Sequence, residues 1–346
     1  MSRLREEQEV ALRIRHILPL LVAAAVMLTA CATAPPNRRS QVDDLAQQIR
    51  TLPGVAATSY TFGDGGPKGP AFFEVDVDVD VVVGITGDQV AAITDRYLAD
   101  LKSVDYSGYR AELDIHDDDD VFVVPTGGRP ADNGAQIGAQ AHNWVALRQR
   151  FPDSTVKLRS TIEHTGTAPL LNAGSIELAD AADYTAVAAA VNTLATSFAD
   201  LAAGDWTISA GNQRPAEIRS SRRLPNAQEM QLWTTLNADQ SIPYADVLVI
   251  NNPVTGPVWV SERIAADDSA LAIRLAQRHL PLVARLPAPV VYTASNQYQG
   301  HIGYHGEATA PVMVTVGGCT KRSYRPSPAE QALIDQYEKC RQSASR

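Results

Sequence analysis

Apolar positions along this chain fall into short runs whose period switches between about 3.6 and about 2 residues. Val42, Leu45, Ile49 and Leu52 share one helical face, and Pro53-Gly54 stops that helix. Residues 55–62 read as a strand. Residues 63–70, rich in glycine and proline, form a connecting loop. Residues 72–83 then alternate, with Val75, Val77 and Val79 on one face and Glu74, Asp76, Asp78 and Asp80 on the other. That pattern predicts a strand with one buried and one wet face. Thr86 starts a second helix striped by Val90, Ile93, Tyr97, Leu98 and Leu101. Residues 109–115 and 121–124 add further strand.

The same order recurs. Ile137, Ala141, Trp144, Leu147 and Phe151 mark a helix ended by Pro152, followed by strands at 155–164 and 174–178. A long helix through Tyr184, Val187, Val191, Leu194, Phe198 and Leu201 leads to a strand at 206–210. The third round has a helix through Met230, Trp233 and Leu236 and strands at 245–250 and 258–264. A helix opened by Asp267 and Asp268 follows, where carboxylates favour the N-terminus. Strands at 290–293 and 312–316 and a C-terminal helix over 327–342 complete the chain. Helix–strand–strand–helix–strand thus repeats three times at a spacing of about 90 residues. The expected fold is α+β: three tandem αββαβ units at 41–127, 134–221 and 225–317, each an antiparallel sheet with two helices on one face. The order resembles a ferredoxin-like sandwich lacking its first strand. It is also similar to the BON module of bacterial envelope proteins, a resemblance that implies phospholipid or envelope binding. The units here are longer and lack the BON glycine pattern.

The first 30 residues are of another kind. Arg3, Arg5, Arg13, Arg15 and His16 precede an apolar run over 17–30, which ends in Leu28-Thr29-Ala30 before Cys31. A basic stretch, an apolar stretch and small residues before a cut site describe an export signal. Leu-Thr-Ala-Cys resembles the lipobox of bacterial lipoproteins. The resemblance implies diacylglycerol transfer to the Cys31 thiol, cleavage before it, and a palmitate-type anchor on the extracytoplasmic side of the cell membrane. The alternative is a spanning helix with an incidental cysteine. The run is shorter than the roughly 20 residues a span requires, and the prolines after it cannot continue a helix. Two acyl chains hold a soluble domain stably on a bilayer. Residues 31–40 then read as a tether.

Composition sharpens this picture. The net charge of −9 argues against nucleic acid as a partner, because phosphates are repelled. Of the three cysteines, Cys31 is assigned to lipid. Cys319 and Cys340, in residues 318–346, form an even pair in an exported chain and read as a disulfide worth about 3 kcal/mol. The alternative is two free thiols.

Candidate chemistry is sparse. The acidic face Glu74, Asp76, Asp78 and Asp80, with Glu112, Asp114 and the run 117–120, is either a solvated sheet face or a surface for a basic partner. Carboxylates two apart can hold a hard cation, but calcium loops curl around their ion and a flat strand does not. Lys157 and Arg159 project outward from a later strand and offer that face an internal partner. His301, His305 and Glu307 have zinc-ligand types, but Gly300, Gly303 and Gly306 argue for a hairpin loop. Tyr292, Tyr298 and Tyr304 offer a glycan or peptide site near that loop. Trp144, Trp206, Trp233 and Trp259 fall at apolar positions and read as core. No nucleophile elbow, phosphate loop or dinucleotide fingerprint occurs. The expectation is a lipid-anchored, non-enzymatic binding protein without a cofactor, taking an envelope protein, lipid or glycan. The alternatives are a metal-dependent enzyme at His301/His305 and a structural spacer.

Overall fold

The computed structural model describes residues 35–65, 69–80, 84–211, 215–239, 241–297 and 300–340. The lipobox, Cys31 and Tyr298 lie outside the described residues. The elements are α1 (Arg39–Arg50), β1 (Val55–Asp64), β2 (Ala71–Val79), α2 (Gly87–Ser103), β3 (Tyr109–Asp117), β4 (Asp120–Thr126), α3 (Gly134–Arg150), β5 (Thr155–Arg159) and β6 (Ala173–Glu177). They continue as α4 (Tyr184–Ser197), β7 (Asp205–Ser209), β8 (Ala216–Ser220), α5 (Ala227–Ala238), β9 (Tyr244–Asn252), β10 (Gly256–Ile264), α6 (Ser269–Val283), β11 (Val290–Ser295), β12 (Met313–Val316) and α7 (Pro328–Tyr337).

All twelve strands form one sheet in sequence order. The pattern predicts three antiparallel sheets; the sheet is instead mixed and continuous. Antiparallel hairpins such as β1–β2 and β3–β4 alternate with parallel pairs such as β2–β3 and β4–β5, each parallel pair bridged by a helix. A parallel neighbour needs a long crossover, and the helix supplies it. The recurring element is a helix followed by a hairpin. It occurs six times among the described residues, with helix starts about 45 residues apart. The 90-residue unit therefore holds two such segments. The strand it lacks in the second round is β8, a five-residue stretch.

Local chemistry sets the helix starts. Thr86 and Gln89 form a capping box on α2, as do Asn226 and Glu229 on α5. Asp268 accepts from the Leu271 amide to cap α6. The helices share one core with one face of the sheet. Phe73, Val75 and Val77 of β2 abut Ala111, Leu113 and Ile115 of β3, and that apolar phase runs on to Tyr292 of β11 and Val314 of β12. Trp144, Trp206 and Trp233 are buried in this core.

The opposite face is open and polar from β1 to β8. From β9 to β12 it turns apolar, and chain between β11 and α7 folds over it. Ile302, Ala308 and Tyr324 pack there against Val247, Val249, Trp259, Val291 and Met313. The β12 edge is closed as well: the Gly317 amide donates to Tyr337 O and the Lys339 amide to Gly318 O. Cys319 and Cys340 are disulfide-bonded beside these contacts.

Candidate functional site

Strand register builds the most charged part of the open face. Parallel pairing sets Glu74 beside Glu112, Asp76 beside Asp114 and Asp78 beside His116. His116 Nε2 lies 3.7 Å from Asp76 Oδ1, and Ser59 donates to Asp76 Oδ2 at 3.3 Å. Arg159 of β5 reaches across the short side chains of β4 to Glu112 at 2.8 Å, so the internal partner expected for the acidic face is present. Lys157 projects from the same side of β5. Asp114 is the exception. Its Oδ1 is shielded from solvent and no donor reaches it. Burial, then repulsion from Glu112, Glu74 and Asp76, pushes its carboxyl up to about 7. Burial, then repulsion from Asp76 and Glu112, also raises Glu74.

The carboxylates of Asp117 and Asp120 have other work, while Asp78 is exposed and Asp80 lies just past β2. The Asp80 amide donates to Gly54 O at the end of β2. Asp117 and Asp120 both bind Arg148 of α3, and Asp120 Oδ1 also accepts from the Val156 amide at 2.6 Å. That run is a structural clasp between the β3–β4 turn, α3 and β5. Asp118 and Asp119 form the exposed tip of the turn.

A second polar cluster lies on the helix side, deep in the core, and the sequence reading missed it. Glu262 of β10 pairs in register with Asp246 of β9, both facing the helices. Glu262 Oε1 lies 2.6 Å from His279 Nδ1, and its other oxygen accepts from the Tyr292 hydroxyl. Asp246 Oδ2 accepts from Asn237 at 2.8 Å, while its Oδ1 has no partner. His279 Nε2 points toward Asp239 at 3.5 Å, and Arg278 binds Asp239 at 2.6 Å nearer the surface. Burial raises both carboxyls; mutual repulsion adds to the rise at Asp246, while His279 opposes it at Glu262. For His279, burial favours the neutral ring, but the Glu262 hydrogen bond and charge outweigh it and the net shift is upward. The signal was present: Asp246 shares the phase of Leu248 and Ile250, and Glu262 that of Val258, Val260 and Ile264. Packed side chains surround the cluster, with Asp246, Glu262 and His279 all buried.

His301, His305 and Glu307 sit on a tight loop closed by the Ile302–Ala308 bridge. The Glu307 carboxylate turns back to accept from the His305 amide at 3.0 Å. Among the described residues, the ligand-type groups that converge are Asp76, Asp114 and His116, and Cys319, Glu338 and Cys340. The second set has both sulfurs committed to the disulfide. Tyr292 is in the core and Tyr304 is 91 % exposed, so these two do not form one site. On the helix layer, a groove of about 700 Å³ runs between α4 and α5, lined by Val191, Ala195, Met230 and Thr234 among others. Among the described residues no helix is long and apolar enough to cross a membrane. Comparison with known proteins finds no family, no curated protein and no solved structure that matches this chain.

Proposed function

We propose that the chain is a bacterial lipoprotein, anchored through acylated Cys31 outside the cytoplasmic membrane, that binds an envelope partner on its open sheet face. The observation that carries the binding role is the division of the sheet. Helices cover one face throughout, while the other stays uncovered across β1–β8. Eight strands at about 4.8 Å spacing span roughly 34 Å, a width suited to a protein partner. The face mixes charges, with Glu74, Asp76 and Asp78 toward one edge and Lys157, Arg159, Glu177, Glu217 and Arg219 across the middle. Such a mosaic suits a partner of mixed charge better than a lipid headgroup layer. The disulfide is in keeping with an oxidising compartment.

The start of the described chain adds an orientation. Tyr109 donates to Pro36 O at 3.0 Å, and Arg38 donates to Asp105 O at 3.1 Å. Five residue steps separate Cys31 from Pro36, a reach of at most about 17 Å. A lipid on Cys31 would hold the start of β3 within that distance of the bilayer, so that end of the first strands would lie nearest the membrane.

Photo-crosslinking in cells tests this reading. A photoreactive residue in place of Thr207, on the open face, is expected to trap a discrete protein partner. The same residue in place of Asp95, on the outer side of α2, is expected to trap none. Equal labelling from both positions, or none from Thr207, contradicts the assignment of the face. Trapping only lipid or glycan from Thr207 would change the partner class.

A further inference from the structure

The open face carries one group of side chains that its solvated role leaves unexplained. A carboxylate oxygen of Asp76, a carboxylate oxygen of Asp114 and a ring nitrogen of His116 all lie within 4.8 Å of one another. The backbone produces this arrangement. Residues two apart on a strand share a face, so His116 stands on the side of Asp114, and β2 lies beside β3 in register.

Three features separate this set from an ordinary wet acidic strand. It includes an imidazole, the commonest nitrogen ligand for divalent transition ions. Asp114 Oδ1 is shielded from solvent without any hydrogen-bond donor, whereas buried polar atoms in folded proteins almost always have a partner. Charge is also unbalanced. Four carboxyls, Glu74, Asp76, Glu112 and Asp114, crowd one patch against two guanidiniums, Arg159, held by Glu112, and Arg110, whose charge acts on Glu74. Ser59 donates to Asp76 Oδ2 and leaves Oδ1 on the His116 side, an outer contact that orients a ligand oxygen.

We propose that Asp76, Asp114 and His116 form a binding site for one divalent cation of the zinc class, open to solvent on its remaining coordination positions. The ion balances the patch and partners the orphan oxygen. Imidazole with two carboxylates favours zinc-class ions over calcium or magnesium, which prefer oxygen alone. Donors around tetrahedral zinc stand about 3.3 Å apart, so the three side chains close in by rotation while the strands stay paired. Three protein ligands leave room for water or for an oxygen or nitrogen donor from a partner on the same face. The site does not depend on the anchor, so its failure would leave the lipoprotein reading untouched.

The test uses the untagged full chain, purified in detergent, stripped with chelator and dialysed separately against zinc, manganese, calcium and magnesium. One zinc per chain at micromolar free metal is expected, with calcium and magnesium at least tenfold weaker. His116→Gln and Asp114→Asn should each weaken zinc binding at least tenfold while circular dichroism stays unchanged. His305→Ala, in the hairpin loop, should bind as the parent does. Cobalt offers a second readout: a visible ligand-field band that disappears in His116→Gln. No stoichiometric zinc, unchanged binding in His116→Gln, loss in His305→Ala, or a preference for calcium would each overturn the proposal. Should Asp114→Asn fail to fold, the His116→Gln titration and its cobalt spectrum decide alone.

Discussion

His279 Nδ1 lies 2.6 Å from Glu262 Oε1 in a part of the core where each residue is 1 % exposed. With Asp246 on the neighbouring strand, this pair makes the interior sensitive to pH. Glu262, Asp246 and His279 all hold protons more tightly than their ordinary values. For the carboxyls the cause is burial first; for His279 it is the Glu262 contact overcoming burial. Folding therefore binds protons, and stability falls as pH rises. The carboxyl contribution begins to be lost above about pH 4, the unfolded-chain value, and that of His279 is full below about 6.5 and lost as pH climbs through its raised value. Melting temperatures measured from about pH 5 to about pH 9 should fall in the parent and fall less in Glu262→Gln, which removes the partner of His279. An identical slope in both would contradict this.

Removing His279 and neutralising Asp246 should have unlike effects. His279→Ala leaves the Glu262 carboxyl buried with only the Tyr292 hydroxyl, at a cost of about 3–5 kcal/mol. Asp246→Asn can keep the Asn237 bond and removes a like charge beside Glu262, so it should cost at most about 1 kcal/mol near neutral pH. Urea denaturation of the two variants gives the comparison.

Asp120 joins three elements through one carboxylate. It binds Arg148 and accepts from the Val156 amide, and Arg148 also stacks on Trp144 at 4.8 Å. Asp120→Ala should destabilise by about 2–4 kcal/mol, since a half-buried guanidinium and a backbone amide both lose a partner. Asp119→Ala, at the exposed tip, should change stability by less than about 0.5 kcal/mol.

Gly174 of β6 has no room for a side chain. A Cβ there would sit 2.4 Å from the Trp206 ring, which fills the space above the glycine from β7. Gly174→Val should cost about 1–3 kcal/mol or more through overpacking, with tryptophan fluorescence reporting the shift. Gly138→Ala, where a Cβ meets nothing within 4 Å, should stabilise α3 slightly.

Reducing the Cys319–Cys340 bridge should remove about 3 kcal/mol, since it closes a loop of 21 residues. The loss should be felt first at the β12 edge. Faster amide exchange at Thr315 and Gly317, with exchange in β2 unchanged, is the expected pattern.

Six of the seven described helices were legible from apolar spacing, because each buries one stripe on one sheet face; the C-terminal helix, expected over 327–342, runs only over Pro328–Tyr337. Most strands were legible from alternation. β8 was not: Ala216–Ser220 offers five residues with only Ile218 as a strong apolar signal. Joining the strands into one sheet was not legible either. The β4–β5 and β8–β9 pairings link strands from different helix–hairpin segments, and no local pattern encodes them. At the open face the acidic residues were visible, but His116 gained meaning only from the β2–β3 register. In the core, Asp246 and Glu262 broke the expectation that buried phases are apolar. Their phase with Leu248 and Val260 marked them as inward, and a neighbouring strand was needed to show that they face each other.

The claim on which compartment and partner class depend is a lipid on one thiol. Mass analysis of the N-terminal peptide, from protein extracted from bacterial membranes, tests it most directly. The expected result is a chain beginning at Cys31 with a diacylglyceryl group on its sulfur. A peptide beginning at Met1, or an unmodified Cys31 thiol in the membrane-extracted protein, would contradict the account.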